Sequence, residues 1–351
     1  MVEVAEKSSA KIGNQTIKLT RTPHISSVGT VVGPKEGKGP YGETFDEITQ
    51  DNGLGQISWD LAESKYLEKA LQKALQKENL TTSDIDLYLG GDLLNQIISS
   101  NLAARNMGIP FYGLYGACST AAEGLSIASM LVSGKFVDRI LVGTSSHHHG
   151  SERQFRFPTE YGGQRPPYAQ WTVTGAGAAV ISLDGNGPVV KSVTTGKVVD
   201  LGEKDPYDLG SAMAPAAADT LTAHLQDTDR DPEYYDLIIT GDLGLQGSSL
   251  FKDLLNENNI NVETNHLDCG LAVYYSSQDV HGGGSGCACS AVIFYGDIWN
   301  KLQNNELDNV LFMATGALHS PISCAQGESI PGICHAVEIS NSDSTAKSPF
   351  T

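Results

Sequence analysis

The chain has 351 residues, of which 40% are hydrophobic and 18% charged, and it carries a formal net charge of −18 at pH 7. That length suits one large domain or two of about 150 residues each, and so acidic a chain is a poor partner for nucleic acid or an anionic lipid surface. No run approaches the roughly 18 apolar residues of a membrane span, whereas an anionic small ligand is compatible with the charge, because a local arginine cluster outweighs a distant field.

The first residues, MVEVAEKSSAKIGNQTIKL, are polar and lack the apolar stretch of a signal peptide, so a soluble protein made in the cytoplasm is expected. A Gly/Pro-rich segment, 24–47, follows. Residues 59–76, WDLAESKYLEKALQKALQ, place Leu61, Ala62, Leu67, Ala70, Leu71, Ala74 and Leu75 on one helical face. DIDLYLGGDLLNQ, from Asp84 to Gln96, reads as an apolar strand ending in Gly-Asp-Leu and leading into a helix. YGACSTAAEGLSIAS, 115–129, sets Cys118 among small residues where a helix over 119–133 begins. DRILVGTSS, from Asp138, is another strand. An aromatic, arginine-bearing insertion, 147–175, comes next; Gly162-Gly163 and Pro166-Pro167 bar a helix through its end. Long loops of this kind are commonly lids or binding loops.

The pattern then returns. YYDLIITGDLGLQ, from Tyr234 to Gln246, repeats the Gly-Asp-Leu strand, with Asp242 in the place of Asp92 and a helix predicted over 248–256. CACS at 287–290 answers GACS at 116–119, and DNVLFMATG from Asp308 answers DRILVGTSS. A repeat this long is a duplicated domain. Near-continuous apolar strands, RILVG, AAVISL, DLIIT and NVLFMATG, belong in sheets buried on both faces by helices. The expected class is α/β, with two halves, 1–185 and 186–338, stacked into a five-layer αβαβα core. A disordered tail is expected over 339–351.

Six cysteines, Cys118, Cys269, Cys287, Cys289, Cys324 and Cys334, are read as free thiols. CAC at 287–289 lacks a second Cys/His pair at zinc spacing, and no Asp/Asn loop of calcium-binding type is present. No resident metal or cofactor is therefore expected.

The duplicated halves, the cysteine on a strand-to-helix turn and TGAGAAVISL together resemble the thiolase superfamily. GTVVGPKEGKGP, GGDLLNQ, YGACST, TSSHHHGSERQFRFPTEYGGQRP, GSAMAPAAADT, GGGSGCACSAV and ATGALHSP narrow the resemblance to the stage V sporulation protein AD family. These motifs span nearly the whole chain, from residue 24 to 335. The resemblance implies a thiolase-like fold and a role in moving dipicolinic acid into the developing spore. The ligand is bound free or as its calcium chelate, the only way calcium enters. It further implies a homodimer that works beside membrane proteins of the same transport assembly, peripheral at the spore inner membrane.

Cys118 has three readings: a nucleophile, a wall of a binding pocket, or a small buried residue at a tight turn. A helix N-terminus favours the thiolate. In the ketoacyl synthase III pattern that the superfamily implies, a histidine and an asparagine assist the cysteine. Their places fall here on Gly241 or Asp242 and on Gly283 or Gly284. Loss of such a donor costs about 100-fold or more in rate, unless the neighbouring His281 substitutes. A dianionic aromatic ligand needs forked donors and apolar walls. The expected pocket residues are Cys118, Ser119, His147, Arg153, Arg156, Tyr161, Asp242, His281 and Gly316, whose N–H would join that of Cys118 in an anion-binding hole. The alternative for the arginines is pairing with Glu152 and Glu160, or a dimer interface. An acyltransferase using Cys118 and a scaffold for membrane subunits are the competing functions.

Overall fold

The structure, a computed structural model, describes residues 9–156 and 163–341. Each half contributes five strands. In the first they are His24–Val32, Leu87–Gly91, Phe111–Gly113, Arg139–Ser146 and Gly175–Ser182. In the second they are Val189–Thr194, Leu237–Thr240, His266–Asp268, Asn309–Ala317 and Gly332–Ser340. Numbered within its half, each set lies in the same spatial order, third, second, fourth, fifth, first. In both halves the second strand is parallel to its two neighbours and the fifth antiparallel to its own. The duplication read in the sequence is thus a duplication of topology. The two sheets meet through one pairing, Val189 with His24.

Three apolar clusters separate the layers. Between the sheets lie the helices Thr120–Ser133 and Cys287–Ile293. Ala121, Leu125, Ala128, Ala288, Ala291 and Val292 join them to Val142 of the first sheet and Phe312 and Val337 of the second. The approach is close, which explains the run of small residues in GAGAAVIS: a Cβ on Gly177 would lie 2.8 Å from the Ala291 Cβ. On the outer face of the first sheet, Trp59–Lys77 buries Tyr66, Leu67, Leu71 and Ala74. On the outer face of the second, Leu209–Thr228 and Gly244–Glu257 bury Met213, Leu221, Phe251 and Leu255. Each large apolar side chain so buried is worth about 2 kcal/mol. The layers are helix, sheet, helix, sheet, helix, as expected from the two buried sheets.

Two segments cross between the halves. The hairpin Ser9–Ile12 and Thr16–Leu19 leaves the first half and pairs with Ser192–Thr194 of the second. Asp227 fixes its turn by accepting from the backbone N–H groups of Asn14, Gln15 and Thr16 at 2.8–3.0 Å. The insertion crosses too. It begins as a helix, His148–Gln154, and its strand Trp171–Thr172 pairs in parallel with Gly284–Ser285. The last strand continues to Ser340, past a boundary at 338.

Candidate functional site

Cys118 sits in a one-turn 3-10 helix, Ala117–Ser119, just before the helix Thr120–Ser133. Ala117 has φ 51°, the left-handed region that favours glycine. The turn is pressed against the end of the strand Asn309–Ala317. A Cβ on Gly316 would lie 2.4 Å from the Gly116 carbonyl oxygen and 3.0 Å from the Ser119 nitrogen. Only glycine permits this approach. Gly316 is therefore beside Cys118, as the resemblance implied, while the next residues, Ala317, Leu318 and His319, line the cavity.

Cys118 is 7% exposed, and its thiol lies near the Asp242 carboxylate. Asp242, fully buried, also accepts from the Ser285 hydroxyl at 3.0 Å, the Gly286 N–H at 2.8 Å and the Thr315 hydroxyl at 2.9 Å. Ser285 in turn accepts from Nη2 of Arg156 at 3.0 Å, and Nη1 of Arg156 donates to the Gln170 carbonyl at 2.8 Å. A chain of hydrogen bonds thus links Arg156 of the insertion through Ser285 to Asp242, near Cys118. Burial, then the neighbouring Asp242 charge, pushes the Cys118 thiol well above its usual range. The expectation of a favoured thiolate is overturned: desolvation and an anion outweigh the turn's free N–H groups. Burial raises Asp242 as well, against its hydrogen bonds.

The cavity over this network has a volume of about 970 Å³ including its mouth. Its apolar walls include Leu94, Phe155, Leu209, Met213 and Ala317; its polar groups include Asp92, Asn95, Arg156, Ser285 and His319. Asp92 caps the chain that follows its strand, accepting from the N–H groups of Leu94 at 2.9 Å and Ser100 at 2.8 Å. Burial pushes its carboxyl up to about 6. Gln96 and Ile97, at φ 58° and 46°, hold the rim in a conformation strained for a β-branched residue. Two donors stand idle. Nε of Arg156 is buried without a hydrogen-bond partner, and so are both ring nitrogens of His319. Burial and the nearby Arg156 lower the His319 pKa.

The other expected residues are elsewhere or already engaged. Ser119 is buried, and its hydroxyl donates to the Gly116 carbonyl at 2.6 Å, within the turn. His147 is fully buried behind Trp59; its Nε2 lies 2.9 Å from the Asn52 carbonyl and its Nδ1 accepts from the Gly150 N–H at 3.4 Å. It caps a helix and does not line the cavity, because the strand end turns it toward Trp59. Burial lowers its pKa to about 4. Arg153 is exposed in a separate groove with Ser58 and Trp59, one helical turn away from Arg156. His281 lies at the surface, 2.9 Å from the Pro166 carbonyl and 3.1 Å from Asp279, and does not line the cavity. Tyr161 lies outside the described residues. Of the insertion's candidates among the described residues, Arg156 is the one that reaches Cys118's cavity. His319 and Ser285 were not singled out by sequence: Ser285 follows Gly284 on a two-residue strand and His319 lies two residues past the strand ending at Ala317, signals too common to mark a site. All six cysteines are free thiols.

Residues 13–340 match the sequence model of Stage V sporulation protein AD. The chain is 51% identical to the stage V sporulation protein AD of Bacillus subtilis (strain 168) over 325 residues, 93% of this chain and 96% of that one. The chain belongs to the stage V sporulation protein AD family. Membership assigns it a role in sporulation. Among solved structures, the chain resembles OleA of Xanthomonas campestris. The cerulenin-bound form aligns with TM-score 0.58 and 16% identity over 91% of this chain and 96% of that one. The acetamide-bound form aligns with TM-score 0.57 and 16% identity over 91% and 98%. At that identity the likeness is one of fold, and the family's fold is thiolase-like. Among the described residues no helix is long and apolar enough to cross a membrane.

Proposed function

We propose that the chain binds dipicolinic acid, free or as its calcium chelate, in the Cys118 cavity and does so without turnover. In this reading the bound ligand is on its way into the developing spore, and the protein works as a homodimer beside the membrane proteins of a transport assembly, peripheral to the spore inner membrane. One observation carries the binding reading: Arg156, whose buried Nε–H has no hydrogen-bond partner, lines a cavity with apolar walls. A guanidinium in that setting suits a carboxylate, and the walls suit a flat ring. His319, neutral, offers a further donor. Cys118 held as a thiol beside Asp242 supports the absence of acyl transfer, since the thiolate is the nucleophile.

Isothermal titration with dipicolinate, with and without calcium, tests this. Saturable binding is expected, and Arg156→Lys, which keeps the charge but not the fork, should weaken it by about 10-fold, in line with one lost charge-assisted hydrogen bond. A flat titration in both conditions, with an adduct on Cys118 after exposure to an acyl thioester, would replace binding by acyl transfer. A flat titration with no adduct would leave the scaffold role.

A further inference from the structure

Phe155, Arg156 and His319 each border a second chamber as well as the Cys118 cavity. This chamber, about 720 Å³ including its mouth, is completed by Pro206, Pro321, Cys324 and Ala325. The residues common to the two spaces are Phe155, Arg156 and His319. Phe155 and His319 stand with their ring centroids 6.2 Å apart at 57°. His319 makes no hydrogen bond through either nitrogen, so turning its ring from one chamber to the other breaks none. The Arg156 guanidinium is the cation common to both spaces.

We propose that the second chamber is a further subsite for a flat aromatic carboxylate. Two ligand molecules then sit on opposite sides of the Phe155–Arg156–His319 wall and draw on one guanidinium. The inference rests on the reading of the Cys118 cavity as a dipicolinate site. Proline rings and the Phe155 face supply apolar surface for the ring, Arg156 holds one carboxylate, and the other lies at the open mouth in water. Sharing one cation between two anions makes the second molecule weaker by about 10-fold through repulsion. A second molecule that competes for Arg156 also loosens the first, as passing a ligand along requires.

The test is titration of the full chain with dipicolinate to saturation. Two molecules per chain are expected, the second weaker. Ala325→Trp, at an exposed rim position, should fill the second chamber. It should leave one molecule per chain, with the first affinity unchanged within about 2-fold. Alkylation of Cys324, the least buried of the six thiols, should do the same without a substitution. One molecule per chain in the unaltered protein overturns the subsite and leaves the proposed function standing. No binding at all overturns both. Two molecules that persist after both blocks place the second one elsewhere and overturn the subsite.

Discussion

Asp242 shows how little a residue's type says without its neighbours. By position it replaces a donor that the acyl-transfer pattern calls for; by geometry it accepts three hydrogen bonds, from the Ser285 and Thr315 hydroxyls and the Gly286 N–H, near the Cys118 thiol. If burial and this anion hold the thiol protonated, Asp242→Asn should speed alkylation of Cys118 by iodoacetamide at pH 8 by about 10-fold, one pKa unit of released thiolate. Peptide mapping by mass spectrometry separates Cys118 from Cys324, which reacts first. An unchanged Cys118 rate would leave burial as the whole cause. Asp92 predicts a pH dependence of binding. Its carboxyl, pushed up to about 6 by burial, is charged at pH 7.5 and mostly neutral at pH 5.5. A negative charge in the wall repels a dianion, so affinity should rise as pH falls through 6, by about 5-fold. The rise should vanish in Asp92→Asn, measured by titration at the two pH values. The same reasoning gives the sign for stability: an acid whose folded pKa is raised favours the folded state most below its unfolded pKa, and that contribution is lost as pH rises through 6.

At the scale of elements, hydrophobic period and glycine placement were informative. The helix predicted over 59–76 is present as Trp59–Lys77, its start fixed by Ser58 accepting from the Leu61 N–H. That over 248–256 lengthens to Gly244–Glu257. The long helix Leu209–Thr228 carries Pro215 inside it; its run of alanines has no polar face to mark a period, because it lies buried beside Gly244–Glu257. The insertion was expected to gather arginines at one pocket. It opens instead as a helix that ends at Gln154, so Arg153 stays on the helix surface while Arg156, past the non-helical Phe155, leaves the helical path. The N-terminal hairpin was not foreseen as part of the second half, since pairing partners far apart in sequence leave no local signal. Asp227 holds three of its backbone N–H groups, so Asp227→Ala should cost about 1–3 kcal/mol. Denaturant unfolding should show a lower midpoint, with unprotected amides at Gln15 and Thr16 in hydrogen exchange.

At the scale of the whole molecule, the duplication was legible because each half had to bury the same sheet, and burial writes itself into composition. The site was legible only in part. Cys118 and Gly316 announce themselves through small residues at a tight approach. The remaining groups converge from two places: Asp242, Ser285 and His319 from the second half, and Arg156 from the insertion. Nothing in spacing along the chain encodes which strand ends face each other. Gly316→Ala tests the closeness of the two halves directly. Its methyl would strike the Gly116 carbonyl, so the variant should lose about 1–3 kcal/mol and its dipicolinate affinity together; a variant with native stability and affinity would mean that the cysteine turn yields.

The hairpin that crosses to Ser192–Thr194 also orders events in time. A ribosome releases residues 9–19 early, whereas their partner strand and Asp227 emerge some two hundred residues later. During synthesis the leading end of the chain waits undocked, and it closes over the second sheet as a clasp once that sheet exists. Non-local closures of this kind form slowly, so the start of the chain is among the last parts to settle.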